Sequence, residues 1–99
     1  MPKGGFVYII CSQGNTTLYT GVTSDLISRV IQHRESHYPD SFTARYKCKK
    51  LVYYFFFDSI VAAIKEEKRI KGGSRQQKID LIQSINPEWN DLYLEIKDW

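Results

Sequence analysis

The stretch Phe6–Gly21, FVYIICSQGNTTLYTG, constrains this chain more than any other. Two short runs of β-branched and aromatic residues, Phe6–Cys11 and Thr16–Thr20, flank the turn-forming Gln13-Gly14-Asn15. That pattern predicts an antiparallel hairpin. Each run carries one tyrosine, Tyr8 and Tyr19, and the second closes on Gly21. A lone hairpin is marginal in water, so everything later in the chain reads as cover brought up against it.

Thr23 or Ser24 is suited to cap a first helix over about 25–37, with Asp25 in its first turn. Leu26, Ile27, Val30 and Ile31 form its apolar stripe, and Arg29 and His33, four apart, line one border. His33 and His37 have metal-pair spacing but no third ligand nearby, which makes a weak site. Tyr38-Pro39 ends that helix. A shorter one over Ser41–Cys48 is expected, with Phe42 and Tyr46 facing inward. The run Leu51–Phe57, LVYYFFF, predicts a strand buried on both faces at the centre of a sheet. Asp58 or Ser59 then caps a helix over 59–71, with Ile60, Val61, Ala63, Ile64 and Ile70 inside. Gly72-Gly73 ends it, and Ser74-x-x-Gln77 has capping-box form, opening a last helix to about Ser84. Asn86–Leu92 reads as a turn anchored by Trp89. The order is strand, strand, helix, helix, strand, helix, helix: an α+β chain with a three-stranded antiparallel sheet.

Within the 59–71 helix, Glu67 is anomalous: it falls in the middle of the apolar stripe, while Glu66 falls outside it. A carboxylate facing a core is costly unless paired or bound to a cation. Two readings stand side by side, a cation site and a structural ion pair with Arg29 or Arg75. Charge is also unevenly placed. Ten of the fourteen Lys and Arg lie between Arg45 and Lys78, whereas residues from Ser84 onward carry a net −3. A basic body suits a polyanionic partner.

Ninety-nine residues make one domain, here expected to have a core over about 5–92 and a tail over 93–99. No run of about 18 apolar residues exists to span a membrane. Met1-Pro2-Lys3-Gly4-Gly5 enters the first strand without a leader's apolar segment, so a cytoplasmic location is expected. Cys11 and Cys48 match no metal spacing and read as buried free thiols.

Taken in order, the residues resemble the GIY-YIG nuclease domain. Phe6-Val7-Tyr8 stands where the family has Gly-Ile-Tyr, and Tyr19-Thr20-Gly21 where it has Tyr-Ile-Gly. Then follow Leu26-x-x-Arg29-x-x-x-His33, Leu51-Val52-Tyr53-Tyr54, Ala63-x-x-x-Glu67-Lys68-x-Ile70-Lys71 and Pro87-x-Trp89-Asn90. The likeness is nearest to the small stand-alone UPF0213 group. It departs from the family at Phe6, which takes the glycine slot, and at Thr20, which replaces isoleucine.

The resemblance implies phosphodiester hydrolysis with one divalent metal, Mg²⁺ or Mn²⁺, held by Glu67. It implies Arg29 as the catalytic arginine, Tyr8 and Tyr19 as the signature tyrosines, His33 as the polar residue one turn after the arginine, and Asn90 as the C-terminal asparagine of the site. A fixed guanidinium stabilises charge on the phosphate oxygens, and one carboxylate with waters is typical of Mg²⁺. Tyr19 is the expected general base, with His33 as base or as acceptor of the tyrosine's proton, and Tyr8 as the residue that orients water or phosphate. Arg45, Lys47, Lys68, Lys71 and Arg75 are the candidate nucleic-acid contacts. DNA in branched, nicked or single-stranded form is the expected substrate, with a partner protein as one source of specificity. The rival expectations are a non-catalytic nucleic-acid-binding domain and a protein-interaction module.

Overall fold

The computed structural model describes residues 4–99; Met1–Lys3, part of the leader reading, lie outside the described residues. Strands β1 (Gly5–Cys11), β2 (Leu18–Thr23) and β3 (Lys50–Phe57) form one antiparallel sheet in the order β2-β1-β3. The α+β class and the three antiparallel strands are as the sequence predicts. The hairpin pairs Cys11 with Leu18, so β2 starts two residues later than expected. The connecting loop is closed by Ser12, whose hydroxyl accepts the Thr16 and Thr17 amides, and by Asn15 at φ 60°.

The central strand is β1, not β3, which corrects the reading of LVYYFFF. Val7 to Cys11 are all at most 1% exposed. Alternation sends Val7, Ile9 and Cys11 to one face and Tyr8 and Ile10 to the other. Only Leu51–Tyr53 of β3 are buried, and Phe55 and Phe56 are half exposed on the free edge. Aromatic character does not reveal whether a partner strand lies on both sides. A bulge opposite Ile9 and Ile10 leaves Val52 unpaired, and its carbonyl accepts the Asn86 side-chain amide at 3.1 Å.

Among the described residues there are five helices, α1 (Leu26–Arg34) and α2 (Phe42–Arg45) between β2 and β3, then α3 (Ile60–Lys71), α4 (Arg75–Ile85) and α5 (Tyr93–Ile96). Asp25 caps α1, its carboxylate accepting from the Ser28 amide, in place of the Thr23 or Ser24 expected there. The helix stops at Arg34 because Ser36 turns left-handed at φ 51° and returns the Ser36 and His37 amides to His33 and Gln32. This Schellman closure removes His37 from the helix and with it the His33–His37 pair. In α2 the inward residue is Thr43, whereas Phe42 and Tyr46 are half exposed and pack on each other at 4.7 Å. Helix α3 rides close on β1, since a Cβ at Gly5 would lie 3.0 Å from that of Ala63. That tight seat leaves Ala63 and Ile70 inside, with Val61 and Ile64 turned out. Both capping-box bonds between Ser74 and Gln77 form at the start of α4.

Residues 93–99, expected as a tail outside the core, contribute α5 to it. Ile96 is fully buried in the cluster with Tyr8, Ile10, Leu26 and Leu51. The Leu92 amide donates to the Leu51 carbonyl at 2.7 Å, and the Asp91 carboxylate accepts the Leu51 amide. Trp99 packs on Tyr54 and Phe6. Helix α5 continues strand cover, and four residues are too few to show a helical period. Among the described residues, no helix is long and apolar enough to cross a membrane.

Candidate active site

Tyr8 and Tyr19 sit on the α1 face of the sheet, on neighbouring strands. Tyr8 pairs across β1–β2 with Gly21, and a Cβ there would overlap the Tyr8 phenol. Glycine is required at this point because the ring lies flat over the partner strand's backbone.

Helix α1 presents Arg29 and His33 to the same place. His33 is buried, its Nε2 2.9 Å from the Tyr8 hydroxyl and its Nδ1 2.9 Å from Thr43 Oγ1. The hydrogen bond to His33 is therefore made by Tyr8; Tyr19 meets the imidazole ring to ring at 5.7 Å. Burial pushes the Tyr8 phenol up to about 12, against the pull of the Arg29 guanidinium beside it. Burial, with a smaller contribution from Arg29, pushes His33 down to about 4. At neutral pH the pair is a neutral phenol and a neutral imidazole, with proton acceptor capacity on the histidine.

Arg29 donates to Gln32 at 2.9 Å and lies over the Tyr38 ring at 5.8 Å. Between α1 and α2 these groups enclose a cleft of about 130 Å³, lined by Tyr19, Arg29, His33, Tyr38, Phe42 and Thr43 among others. Helix α3 packs on the opposite face of the sheet, and its Lys71 comes near Tyr19. The Lys71 ammonium stands 5.6 Å from the Tyr19 ring and 2.8 Å from Glu67 Oε2. The structural partner of Glu67 is thus Lys71 one turn on, rather than Arg29 or Arg75; Arg75 donates instead to the Asn15 carbonyl.

Glu67 fits a divalent metal of the Mg²⁺ kind. Its side chain is only 12% exposed, its second oxygen takes no hydrogen bond among the described residues, and a single hard carboxylate suits an ion that keeps most of its waters. Among the described residues there is no group of three or more His, Cys, Asp or Glu that could hold a metal ion.

Asn90 does not join this cluster. It is exposed, and its backbone amide and carbonyl are held by the side chain of the buried Asn86 at 3.0 and 2.9 Å. Asn86 is the asparagine with a structural task here, tying that turn to β3. Arg45, Lys47 and Lys68 are exposed, and Lys71 is half exposed. The residues that sequence reasoning missed are Thr43, Gln32 and Tyr38. Gln32 precedes His33 on a helix whose Arg29 already pointed here, so i,i+3 spacing could have found it.

Residues 4–80 match the pattern of the GIY-YIG catalytic domain, and the chain belongs to the GIY-YIG family. Within that class it is similar to the UPF0213 proteins. It is 38% identical over 84 residues to one from Syntrophus aciditrophicus, spanning 84% of this chain and 93% of that protein. It is 38% identical over 79 residues to UPF0213 protein SERP0126 of Staphylococcus epidermidis, at 79% and 93% coverage. The solution NMR structure of UPF0213 protein BH0048 from Bacillus halodurans shares the fold, with TM-score 0.57, 26% identity and coverage of 89% and 92%. Family membership implies nuclease-type chemistry on nucleic acid, generally with a divalent metal.

Proposed function

We propose that this chain is a metal-dependent endonuclease that hydrolyses phosphodiester bonds in DNA. The observation that carries the reading is convergence: Tyr8, Tyr19, Arg29 and His33 gather on one face of the sheet, and Lys71, paired with Glu67, stands 5.6 Å from the Tyr19 ring. Arg29 binds the phosphate and neutralises charge gathering on its non-bridging oxygens. Water loses a proton to the Tyr8 oxygen as Tyr8 passes its own proton to His33 Nε2, and the resulting hydroxide attacks phosphorus. The bond to the leaving oxygen breaks with its electron pair, and solvent protonates that oxygen. When bound on Glu67, a divalent ion would neutralise part of the leaving oxygen's charge. Tyr19, half buried beside His33, is the alternative base, and Tyr19→Phe against Tyr8→Phe separates the two.

The exposed Phe42 and Tyr46 rings beside the cleft, with Arg45 and Lys47 next to them, support unpaired nucleotides near the scissile bond, as in forked, nicked or single-stranded DNA. A role in DNA repair is compatible with such substrates. The test is cleavage of labelled duplex, nicked, forked and single-stranded DNA and of RNA, with Mg²⁺ or Mn²⁺. Cleavage should vanish in Arg29→Ala, in Glu67→Ala and with chelator. Salt-steep binding without cleavage by any of the proteins would instead identify a non-catalytic nucleic-acid-binding domain.

A further inference from the structure

We propose that Thr43 is a positioning residue that fixes the tautomer of His33, holding the proton on Nδ1 so that Nε2 faces Tyr8 as the acceptor. The catalytic consequence rests on the nuclease reading; the tautomer itself does not.

The argument follows the donors. A neutral imidazole has one N–H and one lone pair, and its partners decide which nitrogen carries which. Here both nitrogens are 2.9 Å from protein hydroxyls in a site with 1% exposure at Tyr8, 6% at His33 and 4% at Thr43. The Tyr8 hydroxyl has one hydrogen-bond partner among the described residues, His33 Nε2, and the cation nearby, Arg29, offers donors only. The single proton of this buried phenol needs an acceptor, which Arg29 cannot be. His33 Nε2 is that acceptor, which leaves the ring proton on Nδ1, directed at Thr43 Oγ1. The Thr43 hydroxyl in turn lies 3.3 Å from Ser41 Oγ, which already accepts the Ala44 amide at 3.2 Å. Every hydrogen runs in one direction from Tyr8 to Ser41. Reversing the chain strands the buried Tyr8 proton, and removing the Thr43 hydroxyl strands the Nδ1 proton at a comparable cost, which lets the two tautomers compete.

The local fold supports this assignment. Helix α2 has four residues, a Ser41 cap, and a Schellman closure in which Lys47 takes φ 55° and the Lys47 and Cys48 amides return to Ala44 and Thr43. Of its four side chains only that of Thr43 is buried, since Phe42 and Arg45 face out. The element is a short clamp whose inward contact is the hydroxyl on His33.

The test is long-range ¹⁵N–¹H NMR of the His33 ring at neutral pH in wild type, Thr43→Val and Thr43→Ser. Wild type and Thr43→Ser should show a single Nδ1–H tautomer, while the isosteric Thr43→Val should shift to Nε2–H or to a mixture. A wild type already protonated at Nε2 would overturn the proposal even if the valine variant failed to fold. An unchanged tautomer in folded Thr43→Val would overturn it as well. On any substrate the protein cleaves, Thr43→Val should lose about tenfold in rate, the equivalent of one hydrogen bond, and Thr43→Ser should recover it. A protein that cleaves nothing refutes the endonuclease reading and leaves the tautomer result standing.

Discussion

Acid should unfold this protein through His33 before its carboxylates dominate. The histidine's ordinary value is about 6.5, and in the fold it lies at about 4. Between those values the unfolded chain binds a proton that the folded chain refuses, so stability rises with pH and is lost as pH falls through that window. Integrating the two titrations gives a loss of about 2 kcal/mol between pH 7 and pH 5. The structural reason is that protonation adds a charge beside Arg29 in a buried site and turns Nε2 from acceptor to donor against the Tyr8 hydroxyl. The assay is urea unfolding from pH 7 to pH 5 for wild type and for His33→Gln, which cannot take up the proton. Subtracting the two curves removes the carboxylates common to both. The difference should change by about 2 kcal/mol across that range, and the His33 ring proton should titrate near 4. A difference that stays flat, or a titration midpoint near 6.5, would refute the reasoning.

Thr20 lies 4% exposed, and its hydroxyl has no partner among the described residues. Thr20→Val should therefore stabilise the protein by about 1 kcal/mol in denaturant unfolding, and a loss would mean that the hydroxyl is bonded. Gly21→Ala should cost about 1–3 kcal/mol, because a methyl group there overlaps the Tyr8 phenol. It should also disturb the His33 ring resonances, which a simple loss of strand pairing elsewhere would not do. Ile96→Ala should cost about 2–4 kcal/mol in the same assay, as a fully buried side chain removed from the α1-side cluster. A cost under about 0.5 kcal/mol would show that α5 adds nothing to the core.

Much of this was legible because short-range chemistry decided it. Tyrosines at 8 and 19 share a face by strand parity once the hairpin is in register, and Arg29 and His33 share one by helical spacing. The Ser74–Gln77 box was readable for the same reason. Long-range placement was less visible. Nothing within LVYYFFF says that the partner on one side is missing, so its pattern reads as a central strand. Phe42 outranks Thr43 on any apolar scale, yet Thr43 goes inside because a buried imidazole offers it a hydrogen bond. Glu67 was visible as an anomaly, but its ion-pair partner turned out to be the local Lys71, since a neighbour one turn away needs no tertiary approach. At the C-terminal turn, the buried residue is Asn86 rather than Asn90, a choice made by an unpaired carbonyl at the bulge in β3.

The latch at residues 91–96 separates two meanings of the word domain. The stretch that matches the family ends at residue 80, but Leu51 has both of its outward backbone groups satisfied by Asp91 and Leu92, and Ile96 closes the cluster beneath Tyr8. A nascent chain that has emerged only to residue 80 carries every side chain proposed for catalysis and lacks the piece that seals the floor under them. During synthesis, the site's residues are therefore all present about a dozen or more residues before the site can be rigid. A graft that borrows this fold should keep residues 91–99, and so follow the boundary of packing rather than the boundary of likeness.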